Sequence, residues 1–262
     1  MRVALKIAYD GRDFFGHQRQ PDRRTVEGEC LAALKGAQLV RDPRESFFRS
    51  ASRTDRGVSA VGNVIAFNSH LPPEATVGVF NDRSRDVWAW AATAVSDSFH
   101  PRHAMQRWYR YHIFDDVPLR PLRRAASLFL GEHDFRAFTP DLPGNILTVD
   151  KIEVQRSPHA ILFDIHARTF RRNMVRRIVA AAIRCATGKL PESEIRRALG
   201  GSKLDFGIYP PEPLFLMDVR YSFDMDIIVK RRVRAAWGSM ERDADLRLRL
   251  ISEWNRAVQG NL

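Results

Sequence analysis

The chain has 262 residues, a formal net charge of +11 and an apolar fraction of 44%. This composition is sufficient for a hydrophobic core, excludes global disorder and suits one large or two small domains. Only six of the 42 basic residues are lysine. The basic balance favours a polyanionic partner, a nucleic acid or an acidic membrane surface, although a compositional bias of the genome explains the arginine excess equally well.

The cysteines and the hydropathy of the chain indicate the type of cellular compartment to expect. Cys30 and Cys185 are far apart in apolar, helix-like runs, which excludes a disulfide framework and favours a reducing compartment. Lys6 and Asp10 interrupt the N-terminal segment, and no run approaches the roughly 20 apolar residues that a membrane span needs. We therefore expect a soluble cytoplasmic protein with no membrane partner.

The first hundred residues combine strands with a helix. Residues 2–9 alternate apolar and polar positions, which predicts a strand that ends at the turn pair Asp10-Gly11. Thr25 is a predicted N-cap of a helix that runs to about Leu39. Two further strands are predicted at 61–67 and 86–95.

The second part of the chain has more helix. RWYRYHIF, residues 107–114, predicts a strand with Trp108, Arg110 and His112 on one face and Tyr109, Tyr111 and Ile113 on the other. Strands are also predicted at 147–155, 160–167 and 215–223, and helices at 119–130, 171–187 and 191–199. The Arg-rich segment from about 230 to 262 indicates one or two appended helices.

These elements favour the α+β class with antiparallel sheet, because strands follow strands without strict βαβ alternation. We expect a domain seam after the segment FHPRH. The predicted division is an N-terminal half at 1–103, a C-terminal half at 104–225 and a helical tail at 226–262.

The segment RSASRTDRGVSAVGN, residues 49–63, contains one acid between Arg53 and Arg56. Asp55 either caps a turn that Gly57 completes, with the arginines as surface charge, or is a nucleophile beside arginines that hold a substrate. Local sequence alone favours the turn.

Seven ordered segments change that balance, because together they resemble the TruA family of tRNA pseudouridine synthases over about 220 residues. RTDRGVSA at 53–60 resembles the family's RTDxGVHA loop, the most specific of the seven. The others are YDGRDFFGHQRQ at 9–20, SFHPR at 98–102, RWYRY at 107–111, GEHDFRAF at 131–138, FRRNMVRRIV at 170–179 and PLFLMDVRY at 213–221.

The resemblance implies three catalytic residues. Asp55 corresponds to the nucleophile that attacks the target uridine at C6 or C1′. Arg176 corresponds to its basic partner, and Tyr109 to the residue that stacks on the target base and handles the C5 proton. On sequence alone, the alternatives are a solvated helix face for Arg176 and a core strand position for Tyr109.

The resemblance also implies substrate-binding residues. Arg53 corresponds to the residue that helps to flip the nucleotide out of the stack, which must precede chemistry on a base. Thr54 is its neighbour in the loop, and Leu214 and Phe215 are expected to form the apolar wall of the pocket. Two departures from the family pattern, His17 for Trp and Ser59 for His, bear on RNA contacts rather than on the nucleophile.

The family fold implied here has two similar α+β halves, whose antiparallel sheets join into one larger sheet with helices outside and a central active-site cleft. The implied substrate is the anticodon stem-loop of tRNA, at uridines 38 to 40, with no cofactor and no metal. Family members are commonly homodimers, so a homodimer is expected.

Two other functions compete with this one. A catalytically inactive RNA-binding protein would use the same scaffold, although Asp55, Tyr109 and Arg176 are all present. A metal-dependent nuclease needs clustered carboxylates, whereas Asp55 has no Asp or Glu within eight residues on either side.

Overall fold

The computed structural model describes residues 1–141 and 144–258. Its strands are β1 (Arg2–Tyr9), β2 (Arg49–Ser50), β3 (Ser59–Asn68), β4 (Val87–Val95), β5 (Gln106–Ile113), β6 (Gly131–Asp134), β7 (Ile146–Arg156), β8 (Ile161–Ala167), β9 (Leu214–Arg220) and β10 (Asp226–Ile227). Its α-helices are α1 (Val26–Gly36), α2 (Pro73–Arg83), α3 (Leu119–Ser127), α4 (Met174–Ala186), α5 (Glu192–Leu199) and α6 (Arg231–Val258).

In the described part of the chain, these strands form one sheet with the order β10-β4-β1-β3-β9-β5-β8-β7-β6, and β2 pairs beside β3. The pairings between named strands are antiparallel except that between β3 and β9, which is parallel and short, with Ser59 opposite Phe215 and Ala60 opposite Leu216. The α+β class and the joined sheet are confirmed. The junction itself is parallel, because β3 and β9 reach the centre of the sheet in the same direction.

Helices pack on each side of that junction. Helix α2 packs on β4 and β1 and contacts α1, whereas α3 packs on β7 and against α4. Val3, Leu5 and Ile7 of β1 have no exposed surface, and the predicted Thr25 cap forms, since its hydroxyl accepts a hydrogen bond from the Gly28 N–H at 3.2 Å. The apolar residues therefore build one continuous core beneath the sheet.

The starts of one predicted helix and one predicted strand were wrong, and one helix was not predicted. Helix α4 begins at Met174 rather than 171, because Asn173 has a left-handed backbone with φ of 63°. Strand β4 begins at Val87, because Asp86 has φ of 62° and belongs to a turn. Helix α2 (Pro73–Arg83) was not predicted, because few apolar residues mark a periodic face in it.

The tail folds back onto the N-terminal half. Strand β10 pairs with β4, and two ion pairs join the start of α6 to α2: Lys230 with Glu74 at 2.8 Å and Arg232 with Asp82 at 3.1 Å. Helix α6 then continues as one element to Val258, and residues 259–262 of the predicted tail lie outside the described residues. The division at 103 and 225 stays a prediction.

Candidate active site

The loop that contains Asp55 is anchored on both sides. The Tyr9 and Thr54 hydroxyl groups are 2.8 Å apart and share a hydrogen bond, while the Thr54 carbonyl accepts one from the His17 N–H at 3.1 Å. The loop then turns sharply, with Val58 N–H donating to the Asp55 carbonyl at 3.2 Å and Gly57 at φ of +85°. The turn that the local sequence predicts is therefore present, and it holds the Asp55 side chain at a fixed place.

Asp55 faces a charge from a segment 121 residues away. Nη1 of Arg176 lies 3.4 Å from Oδ2 of Asp55. The same guanidinium donates through Nε to the Tyr209 carbonyl at 2.7 Å and through Nη1 to Oδ1 of Asn173 at 3.3 Å. These bonds fix Arg176 in the first turn of α4, so its charge is directed at the carboxylate rather than at solvent.

The environment of Asp55 acts on its pKa in opposite directions. Burial raises the pKa, and the charge and hydrogen bond of Arg176 lower it, with a net rise above the ordinary value. The carboxylate side chain keeps 31% of its surface exposed. The group is thus accessible from the cleft and only partly solvated, which is a suitable setting for a carboxylate nucleophile.

Tyr109 lies on the buried face of β5 and reaches the same cleft. Its ring packs edge-on against Phe170 at a centroid distance of 5.2 Å, and it is 8% exposed. Burial raises the pKa of its phenol to about 12, and the charge of Asp55 contributes to that rise. Tyr109 is therefore a neutral phenol at physiological pH, close enough to Asp55 to sense its charge.

Arg107 organises the floor of the site and was missed by the sequence analysis. It is 8% exposed, and its guanidinium donates to Ser52 Oγ and to the Ala51 and Arg102 carbonyls, each at 3.0 Å. The sequence signal for Arg107 is its place on the same strand face as Tyr109. A buried guanidinium costs free energy unless it is paired or hydrogen-bonded, so a basic residue on a buried face indicates a structural or functional role.

The cleft measures about 1170 Å³ and is lined from both halves of the sheet. Asp55, Thr54, Arg53, Tyr109, Arg176 and Leu214 all line it. Its charge is strongly positive, because eight arginines face two aspartates, Asp55 and Asp141. The eight are Arg23, Arg53, Arg56, Arg102, Arg107, Arg171, Arg172 and Arg176.

Phe215 lies on the other face of the sheet, away from the cleft. Its ring is 4.6 Å from that of His112, and it lines a separate apolar hollow with Trp88 and Trp90. Successive residues of a strand point to opposite faces, so Leu214 and Phe215 cannot both line one pocket. The expectation for Leu214 agrees with its position, whereas the one for Phe215 was wrong.

Within residues 1–141 and 144–258, no group of three or more His, Cys, Asp or Glu side chains is placed to hold a metal ion. In the same part of the chain, no helix has the length and apolar character that crossing a membrane requires.

Comparisons with known proteins agree with the geometry. A family model described as tRNA pseudouridine synthase matches residues 125–222. A tRNA pseudouridine synthase A of Thermococcus sibiricus is 38% identical over 97% of this chain and 98% of its own length. The same enzyme name belongs to relatives in Pyrococcus furiosus, 43% identical over 84% of each chain, and in Methanococcoides burtonii, 38% identical over 86% of this chain and 85% of that relative.

Among solved structures, one chain in a crystal structure of a Cbf5-Nop10-Gar1 complex matches with a TM-score of 0.37 and 16% identity. The match covers 68% of this chain and 45% of that one. This likeness is too low to carry an argument.

Proposed function

The chain belongs to the TruA family of tRNA pseudouridine synthases and is an isomerase that acts on uridine in tRNA, and on that premise we propose that Asp55 is its nucleophile and that its targets are uridines 38 to 40 of the anticodon stem-loop. The observation that carries this proposal is the meeting of Asp55, Arg176 and Tyr109 in one basic cleft. These three residues come from a loop, a helix and a strand that are far apart in the sequence.

The reaction balances without a second substrate. A carboxylate oxygen of Asp55 bonds to C6 of the base or to C1′ of the ribose, and the N1–C1′ bond breaks. The uracil then turns, C5 bonds to C1′, C5 loses its proton and N1 gains one. The bond to Asp55 breaks in the same sequence, at C1′ as C5 displaces the carboxylate or at C6 by elimination with loss of the C5 proton, so that the free carboxylate is restored. Because no electrons or atoms enter or leave overall, this chemistry consumes no oxidant, reductant or co-substrate, and the proposed scheme uses no cofactor.

Arg176 and Tyr109 have distinct roles in this scheme. Arg176 keeps Asp55 ionised against the effect of burial, because an opposite charge favours the charged form. Tyr109, as a neutral phenol, offers a ring for the flipped uracil to stack on and a hydroxyl group that handles the C5 proton. Leu214, on the strand next to that of Tyr109, supplies an apolar contact for the base.

The rim of the cleft suits a folded RNA. Recognition of RNA by shape relies on contacts to phosphate and ribose, and the arginines of the cleft can make such contacts. Arg53 is exposed two residues before the nucleophile, a suitable position for a side chain that helps to flip the target nucleotide out of the stack. Binding should weaken steeply as salt is raised.

We also propose that the enzyme works in the cytoplasm as a homodimer, as its family resemblance implies. In this proposal the chain consists of two halves, 1–103 and 104–225, that meet at the cleft, and of the tail 226–262. The apolar hollow that contains Phe215, Trp88 and Trp90 is outside the catalytic scheme.

The test is tritium release from tRNA carrying 5-tritiated uridine, in the presence of EDTA. We expect release from the normal tRNA and none from a tRNA whose uridines 38 to 40 are replaced by cytidine. Equal release from both would contradict the anticodon assignment. Binding of several tRNAs without any release would favour the catalytically inactive RNA-binding alternative, and release that EDTA abolishes would indicate a metal requirement.

A further inference from the structure

Two arginines that line the cleft have no side-chain partner among the residues that the structure describes. Arg53 and Arg102 come from separate segments and line the same cleft. Within residues 1–141 and 144–258, no side-chain hydrogen bond or ion pair joins either guanidinium to another residue. Burial lowers the pKa of Arg102, and the charges of Arg53 and Arg49 lower it further, while Glu27 acts in the opposite direction.

The backbone beneath Arg102 is held firmly although its side chain is free. Its carbonyl accepts a hydrogen bond from Nη2 of Arg107 at 3.0 Å, and its N–H donates to Nδ1 of His100 at 3.2 Å. Arg107 also holds Ala51, two residues before Arg53. The backbone segments that carry the two guanidiniums therefore share a fixed support, and an anion bound between the two side chains would offset their mutual repulsion.

His17 supplies an independent observation in the same cleft. Its ring is 1% exposed, and neither Nδ1 nor Nε2 has a hydrogen-bond partner among the described residues. His17, Arg53 and Arg102 line the same cleft, and the charges of the two arginines act on the imidazole. Burial, with those charges, lowers its pKa to about 4, so the ring is neutral and offers one N–H donor.

An unpartnered buried imidazole lowers folding stability, and such groups in native structures call for an explanation. The backbone of His17 is already used, since its N–H bonds to Thr54 and its carbonyl accepts from Glu27 at 2.9 Å. If position 17 served only to fill the core, an apolar aromatic ring would stabilise the fold more than the histidine does. The combination of two free guanidiniums and a neutral N–H donor matches the oxygens of a phosphate group.

We propose that Arg53, Arg102 and His17 form a phosphate subsite, which binds one phosphodiester of the RNA backbone beside the uridine being isomerised. The inference rests on the proposed function. The guanidiniums bind the charged oxygens, and the N–H of His17 donates to the same phosphate when the side chains that bury its ring move aside. Because Arg53 and Asp55 share one short loop, the bound phosphate fixes which nucleotide reaches the nucleophile.

The test combines neutral phosphates in the RNA with variants of the protein. Substrate tRNA is assembled by ligation with one methylphosphonate at a time, over about three nucleotides on each side of the target. Each carries a 2′-O-methyl group next to the replacement, and the matched control carries the 2′-O-methyl group alone. Dissociation constants are measured at one salt concentration for the wild type and for Arg102→Gln, with the exposed Arg120→Gln of α3 as the control for loss of one charge.

We expect one methylphosphonate to weaken wild-type binding by about tenfold and binding by Arg102→Gln by less than about twofold, whereas Arg120→Gln behaves like the wild type. The plot of log affinity against log salt should be less steep by about one for Arg102→Gln. If every methylphosphonate costs the wild type and Arg102→Gln the same factor, Arg102 contacts no phosphate near the target and the inference is overturned.

His17→Phe tests the remaining member of the subsite. It should raise the midpoint of thermal unfolding, because an apolar ring replaces an unpartnered polar one, and it should reduce the penalty at the same methylphosphonate position. A more stable variant with an unchanged penalty would remove His17 from the subsite. Tritium release by the wild type is measured separately on the same tRNAs. Normal release without a methylphosphonate penalty that depends on Arg102 means that the subsite is wrong. That penalty without release means that the proposed function is wrong.

Discussion

Replacement of Arg176 by glutamine should displace the pH dependence of the reaction, not only reduce its rate. Asp55 is proposed to act as a carboxylate, so activity is present above its pKa and is lost as the pH falls through it. Burial raises that pKa, and Arg176 opposes the rise. Without the arginine charge, burial acts unopposed, the pKa rises further and the acid limb of the profile moves toward neutral pH.

The size of this effect follows from the geometry. Two unit charges at the 3.4 Å separation of Arg176 and Asp55 attract by about 5 kcal/mol at an effective dielectric constant of about 20. Solvent reaches the carboxylate, so the retained part is smaller. Even a third of it, about 1.6 kcal/mol, changes the ionisation equilibrium by roughly tenfold or more. The loss in kcat/KM should therefore be smallest on the high-pH plateau, where both enzymes are ionised, and should grow as the pH falls, becoming roughly tenfold greater below the acid limb of the wild type.

The assay is tritium release under kcat/KM conditions from pH 5 to 9. Arg176→Lys keeps the charge and should keep the position of the acid limb. Arg177→Gln is the matched control, because Arg177 is the next residue of α4 and pairs with Asp205, at 2.8 Å, rather than with Asp55. If Arg176→Gln lowers kcat/KM by one factor at every pH, Arg176 does not act through the ionisation of Asp55.

Four further substitutions distinguish the residues that act in catalysis from those that contact the base and those that stabilise the fold. Tyr109→Phe keeps the aromatic ring, so tRNA affinity should stay within about twofold while tritium release falls by roughly a hundredfold or more; normal release would exclude the phenol from proton handling. Leu214→Ala should lower kcat/KM, whereas Phe215→Ala, on the opposite face, should lower the unfolding midpoint and leave kcat/KM unchanged; a loss of kcat/KM in the Phe215 variant would contradict the assignment of faces. Gly57→Ala places a side chain on a residue with φ of +85°, which costs about 1–3 kcal/mol of folding free energy. The midpoint of thermal unfolding should therefore fall. An unchanged midpoint would mean that the turn adopts another conformation at no cost.

Local sequence patterns correctly predicted the two faces of β5 and the start of α1. The alternation in RWYRYHIF correctly separated the buried Tyr109, Tyr111 and Ile113 from the half-exposed residues of β5. The Thr25 cap likewise marked the start of α1. In both cases, the signal lies within a few residues and depends on side-chain direction or on a single hydrogen bond, so neighbours in sequence are enough to predict it.

Other features of the fold and the site could not be predicted from local patterns. Nothing near β3 indicates that it pairs in parallel with β9, because only a few residues of each form the junction. The assignment of Phe215 to the pocket failed because motif position was used without regard to strand alternation. Helix α2 was missed because Val77 and Phe80 are its only large buried apolar residues. The pairing of Asp55 with Arg176 came from the family resemblance, since their separation in sequence gives no local signal.

The central claim is that Asp55 is the nucleophile, and its isosteric replacement by asparagine tests this claim most directly. Tritium release from tRNA with 5-tritiated uridine is measured in EDTA for the wild type, Asp55→Asn and Asp55→Ala, with tRNA binding and thermal unfolding as controls for an intact fold. The account predicts release by the wild type and none by either variant, although both still bind tRNA. Release by Asp55→Asn at a rate near that of the wild type would contradict it, because an amide cannot supply the anionic oxygen on which the mechanism depends.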